Sequence, residues 1–185
     1  MRILCFGDSN TYGYDPRGFV AGRYDKNHRW PDILGALTGH EVFNDSMHGR
    51  KIPRWDIELK LFRDTLLRTQ PDMLIIMLGT NDVATGASAA ETVERMEAFL
   101  EQVPPEPELV ILAPPPIRKG VWVEDEHIIA EAGLLGELYR ELAAKWGAVF
   151  MDCRELPLSH DGVHLSEDGH AMLANKLHEK LKSRR

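Results

Sequence analysis

Four short strings, each just beyond an apolar run, carry the residues best suited to chemistry: Gly7-Asp8-Ser9-Asn10, residues 44–49, Gly79-Thr80-Asn81-Asp82 and Asp161-Gly162-Val163-His164. Together they offer a hydroxyl nucleophile, an imidazole base, a carboxylate to orient that base, and hydrogen-bond donors. Cleaving an ester needs this set, because the attacking oxygen must lose a proton and the carbonyl oxygen must be held while it becomes negative. Each string alone is ordinary turn composition, since Gly, Asp, Ser and Asn favour turns for backbone reasons. It is their combination in one chain that points to acyl chemistry.

Ser9 is the candidate nucleophile, on the turn out of the first apolar run, and His164 is the candidate general base. Asp161, three residues before His164, can turn its carboxylate onto the Nδ1 proton and leave Nε2 facing the serine. A rival reading makes His160, Asp161 and His164 metal ligands, since His and Asp at close spacing are ligand types. No further ligand clusters with them, and Asp8 and Asp82 have turn roles available, so neither a metal nor an organic cofactor is expected. His48 reads as an exposed loop residue, and His28, His40, His127, His170 and His178 as surface or helix histidines. The pattern differs from the G-x-S-x-G elbow, whose serine follows a later strand.

The four strings resemble blocks I, II, III and V of the SGNH hydrolases, also called GDSL esterases or lipases, across residues 7–164. Arg29-Trp30, the run IIMLGTND at residues 75–82 and the triple proline at residues 114–116 are similar to the arylesterase and acyltransferase subgroup. The resemblance implies a triad of Ser9, His164 and Asp161. It also implies an oxyanion hole made by the backbone N–H groups of Ser9 and Gly49 and the side-chain amide of Asn81. Transfer of acyl groups to alcohols other than water, and a homo-oligomer, are implied in the same way. By themselves, Gly49 also reads as a loop glycine with positive φ, and Asn81 as a cap on its turn. Block I usually reads GDSL, and Asn10 stands in place of the leucine, a change that bears on local pocket packing more than on the chemistry.

The elements between these strings must bring them together. Short β-rich runs at residues 3–6, 41–44, 73–78, 109–113 and 148–151 alternate with helical patterns at residues 31–37, 54–69, 88–103 and 128–146. A last helix begins near Ser166, an N-cap followed by Glu167 and Asp168, and sets Met172, Leu173, Leu177 and Leu181 on one stripe. The alternation predicts an α/β fold, a three-layer α/β/α domain over residues 1–185 with a five-stranded parallel sheet in flavodoxin-like order. Every candidate then follows a strand's C-terminal end, the rim where open parallel sheets bind ligands. Two long connections, residues 11–29 and 114–127, read as walls of the acyl and leaving-group pockets or as ordinary surface elaboration.

Composition narrows the partners. A hydrophobic fraction of 43% and a charged fraction of 28% are globular values. The formal net charge of -7 disfavours nucleic acid, which needs clustered Lys and Arg. Lys51, Arg54 and the basic run at residues 180–185 read as solvated. The longest apolar stretch, residues 73–78, is too short to span a bilayer. The chain reaches Gly7 with no room for a signal peptide, and Cys5 and Cys153 fit free thiols in a reducing compartment, so a cytoplasmic location is expected. The expected activity is that of a serine esterase on short acyl esters, acetyl above all, with a small-molecule ester as partner. Alternatives are a lysophospholipase or thioesterase, a carbohydrate acetylesterase, and a binding protein that keeps the pocket without turnover.

Overall fold

The computed structural model describes residues 1–18 and 22–182; residues 19–21 of the long 11–29 connection and residues 183–185 of the basic run lie outside the described residues. Five strands, β1 (Arg2–Gly7), β2 (Glu41–Ser46), β3 (Met73–Met77), β4 (Glu108–Ala113) and β5 (Val149–Asp152), form one sheet in the order β2-β1-β3-β4-β5. All neighbours are parallel, with Leu4 of β1 opposite Phe43 of β2 and Leu74 of β3. This is the flavodoxin-like order.

Seven α-helices are described: α1 (Ser9–Tyr12), α2 (Trp30–Thr38), α3 (Asp56–Thr69), α4 (Thr80–Ala84), α5 (Ala89–Leu100), α6 (Glu126–Lys145) and α7 (Glu167–Lys182). The sheet is apolar on both faces because helices cover both, which is why β3 can read Met-Leu-Ile-Ile-Met and be buried throughout. Leu74 and Ile76 of β3 share one core with Phe62 of α3, Phe99 of α5 and Tyr139 of α6. Met73, Ile75 and Met77 point the other way, into a core with Trp30 and Leu34 of α2 and Leu173 and Leu177 of α7. Residues two apart on a strand share a face, so one continuous run feeds two cores. Among the described residues no helix is long and apolar enough to cross a membrane.

The helix ends follow local chemistry. Ser88 and Glu91 close a capping box at the start of α5, Ser88 Oγ accepting from Glu91 N at 3.1 Å and Glu91 accepting from Ser88 N at 2.8 Å. Ser166 Oγ accepts from Gly169 N at 3.1 Å at the entry to α7, as its type predicts. Met172 does not lie on the buried stripe of α7: it is 38% exposed, whereas Leu173 and Leu177 are fully buried. The arc is centred on His170, Leu173 and Leu177, and Met172 falls one 100° step to its side. The short helices α1 and α4 have no counterpart in the predicted elements, because four or five residues hold no readable period.

Candidate active site

The site forms at the C-terminal edge of the sheet, where the chain leaves β1 toward β2 on one side and later fills β3 on the other. That reversal opens a crevice. Ser9 begins α1 directly after β1, and Asn81 lies in α4 directly after β3. Asp8 is the N-cap that turns the chain into α1, its Oδ1 accepting from Asn10 N at 2.9 Å. Ser9 is thereby held at a helix start with its side chain toward the crevice, only 6% exposed overall.

His164 arrives from the segment between β5 and α7. Its Nε2 lies 2.9 Å from Ser9 Oγ and its Nδ1 lies 2.5 Å from Asp161 Oδ2. A carboxylate only accepts, so Nδ1 carries the proton and Nε2 is the acceptor for the serine hydroxyl. Asp161 Oδ1 also accepts from Val163 N at 3.1 Å and His164 N at 3.0 Å. Burial works to raise the Asp161 carboxyl, but the ring and backbone donors outweigh it and hold the group below its ordinary value. The anion that orients the imidazole is therefore stable in a residue with no exposed surface. His160, the rival metal candidate, is exposed and lies beside Ser159. Among the described residues no three His, Cys, Asp or Glu side chains group to hold a metal ion.

The donors come from two further loops. Gly49 occupies a turn closed by Arg50 N donating to Met47 O at 3.2 Å, with φ of 68°, a conformation that a residue with Cβ adopts only under strain. Asn81 Nδ2 donates to Arg50 O at 3.0 Å and lies 3.4 Å from Asp8 Oδ2. An amide carries two hydrogens, so one is committed to Arg50 and the other is aimed near Asp8, at the edge of the crevice. Asp82 is fully buried and accepts from Ile52 N at 3.0 Å and Arg95 at 3.1 Å, pinning the two loops together.

Ser9, Gly49, Asn81 and His164 line one cavity of about 440 Å³, walled further by Tyr14, Trp122 and Val123. The walls thus come from both long connections. The Tyr14 ring is centred 4.6 Å from that of His164, and Trp122 5.5 Å from it on another side. His48 is exposed, as expected, yet it lines the same cavity and packs edge-on to Tyr12 and Tyr14. Partial burial, then His164 and Arg23 nearby, lower its pKa, favouring the uncharged ring. Asp8 moves the opposite way, pushed up to about 6 by burial against the pull of the Asn10 N–H and of His164. Of the two readings of His170, surface or helix, the structure places it in helix α7 and fully buried beneath α2, where Trp30 N donates to its Nδ1 at 3.4 Å.

The pattern of the GDSL-like lipase/acylhydrolase family matches residues 5–172. The chain belongs to that family. Solved structures agree. An assigned arylesterase of Agrobacterium tumefaciens str. C58 is 32% identical over 98% of each chain, with a TM-score of 0.86. The aryl esterase of M. smegmatis is 25% identical over 98% of each chain, with a TM-score of 0.87. A carbohydrate acetylesterase family member from Sinorhizobium meliloti, 24% identical over 98% of this chain and 97% of its own, shares the fold at a TM-score of 0.86. No curated protein matches the chain. As a GDSL-like hydrolase it is a carboxylic ester hydrolase.

Three residues of this GDSL-like hydrolase acquire roles that the sequence reading missed. Arg50 donates to Gly7 O at 3.2 Å, to Asp45 O at 2.6 Å and to Asp45 Oδ1 at 2.8 Å, tying the Gly49 turn to the ends of β1 and β2. An arginine beside a motif looks like surface charge until its partners are known. Tyr14 is set in the wall by the tight exit from α1, where Gly13 is left-handed. Asn10 is not a pocket residue at all. It is 1% exposed and its amide bonds to Val163 O and Leu165 N, on either side of His164.

Proposed function

We propose that the protein hydrolyses short acyl esters, acetyl esters above all, through an acyl-enzyme on Ser9. The observation that carries this reading is the continuous hydrogen-bonded line from Asp161 through His164 to Ser9 Oγ, at 2.5 Å and 2.9 Å. His164 Nε2 takes the serine proton as Oγ attacks the ester carbonyl, and Asp161 stabilises the imidazolium that forms. The oxyanion is received by the N–H groups of Ser9 and Gly49 and by the Asn81 amide, donors already held in place by α1, the Arg50 clamp and α4. His164 then protonates the departing alcohol. Water enters, loses its proton to the same imidazole and releases the acid. The assigned arylesterase at 32% identity supports aryl alcohols as leaving groups, and the resemblance to the arylesterase and acyltransferase subgroup supports transfer to alcohols other than water. None of these steps requires a metal or a cofactor.

The test is hydrolysis of p-nitrophenyl acetate by wild type and Ser9→Ala. The variant is expected to keep the wild-type circular dichroism spectrum and to lose turnover, since losing one hydroxyl is tolerated at a helix start but the covalent step has no substitute. A folded Ser9→Ala protein that still turns over at the wild-type rate would falsify the assignment. An organophosphonate should label Ser9 in the wild type.

A further inference from the structure

Asn10 departs from the usual motif and is nearly solvent-free, yet it is polar. Its Oδ1 accepts from Leu165 N at 2.8 Å and its Nδ2 donates to Val163 O at 3.2 Å. One partner is a donor and the other an acceptor, so the amide has a single consistent orientation. Those two backbone groups belong to the two peptide planes that flank the Cα of His164. A residue in a neighbouring parallel strand grips its partner in this way, bonding to the residues on either side of it.

We propose that Asn10 is a positioning residue that holds the His164 imidazole in register with Ser9, in the esterase mechanism above on which this role rests. Asp161 bonds to Val163 N and His164 N, and Ser159 N donates to His164 O at 2.7 Å, but these bonds lie within the segment itself. They set its shape, and Arg118 N donating to Gly162 O at 2.8 Å ties it to the connection after β4 rather than to the nucleophile. Among the described residues, the hydrogen bonds that join α1 to this segment are the two from Asn10 and the Ser9–His164 pair itself. Asn10 follows Ser9 directly, and its own N–H is held by Asp8 Oδ1 at 2.9 Å. Nucleophile and base are thus fastened to one turn of helix, and a shift of α1 carries both. A leucine fills similar space and supplies neither bond.

Wild type, Asn10→Leu and Asn10→Asp are compared on p-nitrophenyl acetate across pH. Asn10→Leu is expected to lower kcat by roughly 10- to 100-fold, with KM within about twofold and the wild-type fold by circular dichroism, because a base displaced by a fraction of an ångström still permits binding. Asn10→Asp keeps the acceptor for Leu165 N and loses the donor to Val163 O. It is expected to lose less kcat than Asn10→Leu, because one of the two bonds is kept. If Asn10→Leu fails to fold, Asn10→Asp decides alone. Wild-type kcat in the folded variants, or a loss confined to KM, overturns the positioning role. A wild type inert toward esters would sink the esterase reading instead, and the register is then read from the rate at which an organophosphonate labels Ser9. Slower labelling of Asn10→Leu upholds the role, and equal labelling rates overturn it.

Discussion

Ser9 and Asn81 reach one cavity from the adjacent strands β1 and β3, so in the proposed mechanism a carbonyl attacked by Ser9 Oγ would have its oxygen beside the Asn81 amide. That amide already spends one hydrogen on Arg50 O, and its second meets Asp8 Oδ2 only at the long distance of 3.4 Å. A donor left loosely engaged in the resting enzyme is available to charge that develops later. Asn81→Ala is therefore expected to lower kcat by roughly 100- to 1,000-fold with little change in KM, the pattern of an interaction made mainly in the transition state. Steady-state kinetics on p-nitrophenyl acetate check it. A raised KM at constant kcat would make Asn81 a ground-state binding group.

The packing of α7 on α2 carries its own pH dependence. His170, at the first turn of α7, is held down to about 3 by burial, with His164 and Arg29 adding like charge. Its ordinary value is 6.5, so between the two the unfolded chain holds a proton that the folded protein lacks. Stability contributed by neutral His170 is present above pH 6.5 and is lost as pH falls toward 3. At pH 5 that is a loss of about 2 kcal/mol relative to neutral pH. The variant His170→Asn offers Trp30 N an acceptor that does not titrate. Urea unfolding at pH 7.5 and pH 5 should show a smaller drop in midpoint for the variant than for wild type. Equal drops would mean that other groups carry the acid sensitivity, the Asp161 carboxylate among them.

For the molecule as a whole, substrate size depends on how far the cavity walls extend. Its apolar lining amounts to Ala84, Val123 and Val163 with the rings of Tyr14 and Trp122, and the remainder is Ser9, His48, Gly49, Thr80, Asn81 and His164. A methylene buried against such walls gains about 0.8 kcal/mol, close to a fourfold gain in kcat/KM, and gains nothing once the chain passes the rim. Activity is expected to peak between acetyl and butyryl esters and to fall for longer chains. The measurement is kcat/KM for p-nitrophenyl esters from acetate to laurate, with detergent controls for solubility. Rates that climb steadily to the long esters would favour the lysophospholipase or thioesterase reading.

Sequence by itself determined the sheet and the chemical inventory. Strand cores such as Met73–Met77 are unmistakable because burial on both faces demands an unbroken apolar run, and Ser9 and Asn81 lie just beyond such runs, whereas Gly49 follows the edge strand β2 and Asp161 and His164 lie in the segment between β5 and α7. What the sequence left open were relations between distant residues. Asn10 and Leu165 are 155 positions apart, so a buried asparagine looked like a disturbance of the pocket until its partners were in view. His170 read as a surface or helix histidine, and its burial stayed hidden because one polar residue on a helix carries no sign of the Trp30 N–H it will meet from α2. The same holds for Arg50, whose guanidinium finds Gly7 O and Asp45 only once β1 and β2 lie side by side. Residue type and local periodicity are properties of a short stretch of chain and survive in one dimension. Hydrogen-bond partners brought together by folding are not, and only the tertiary structure decides them.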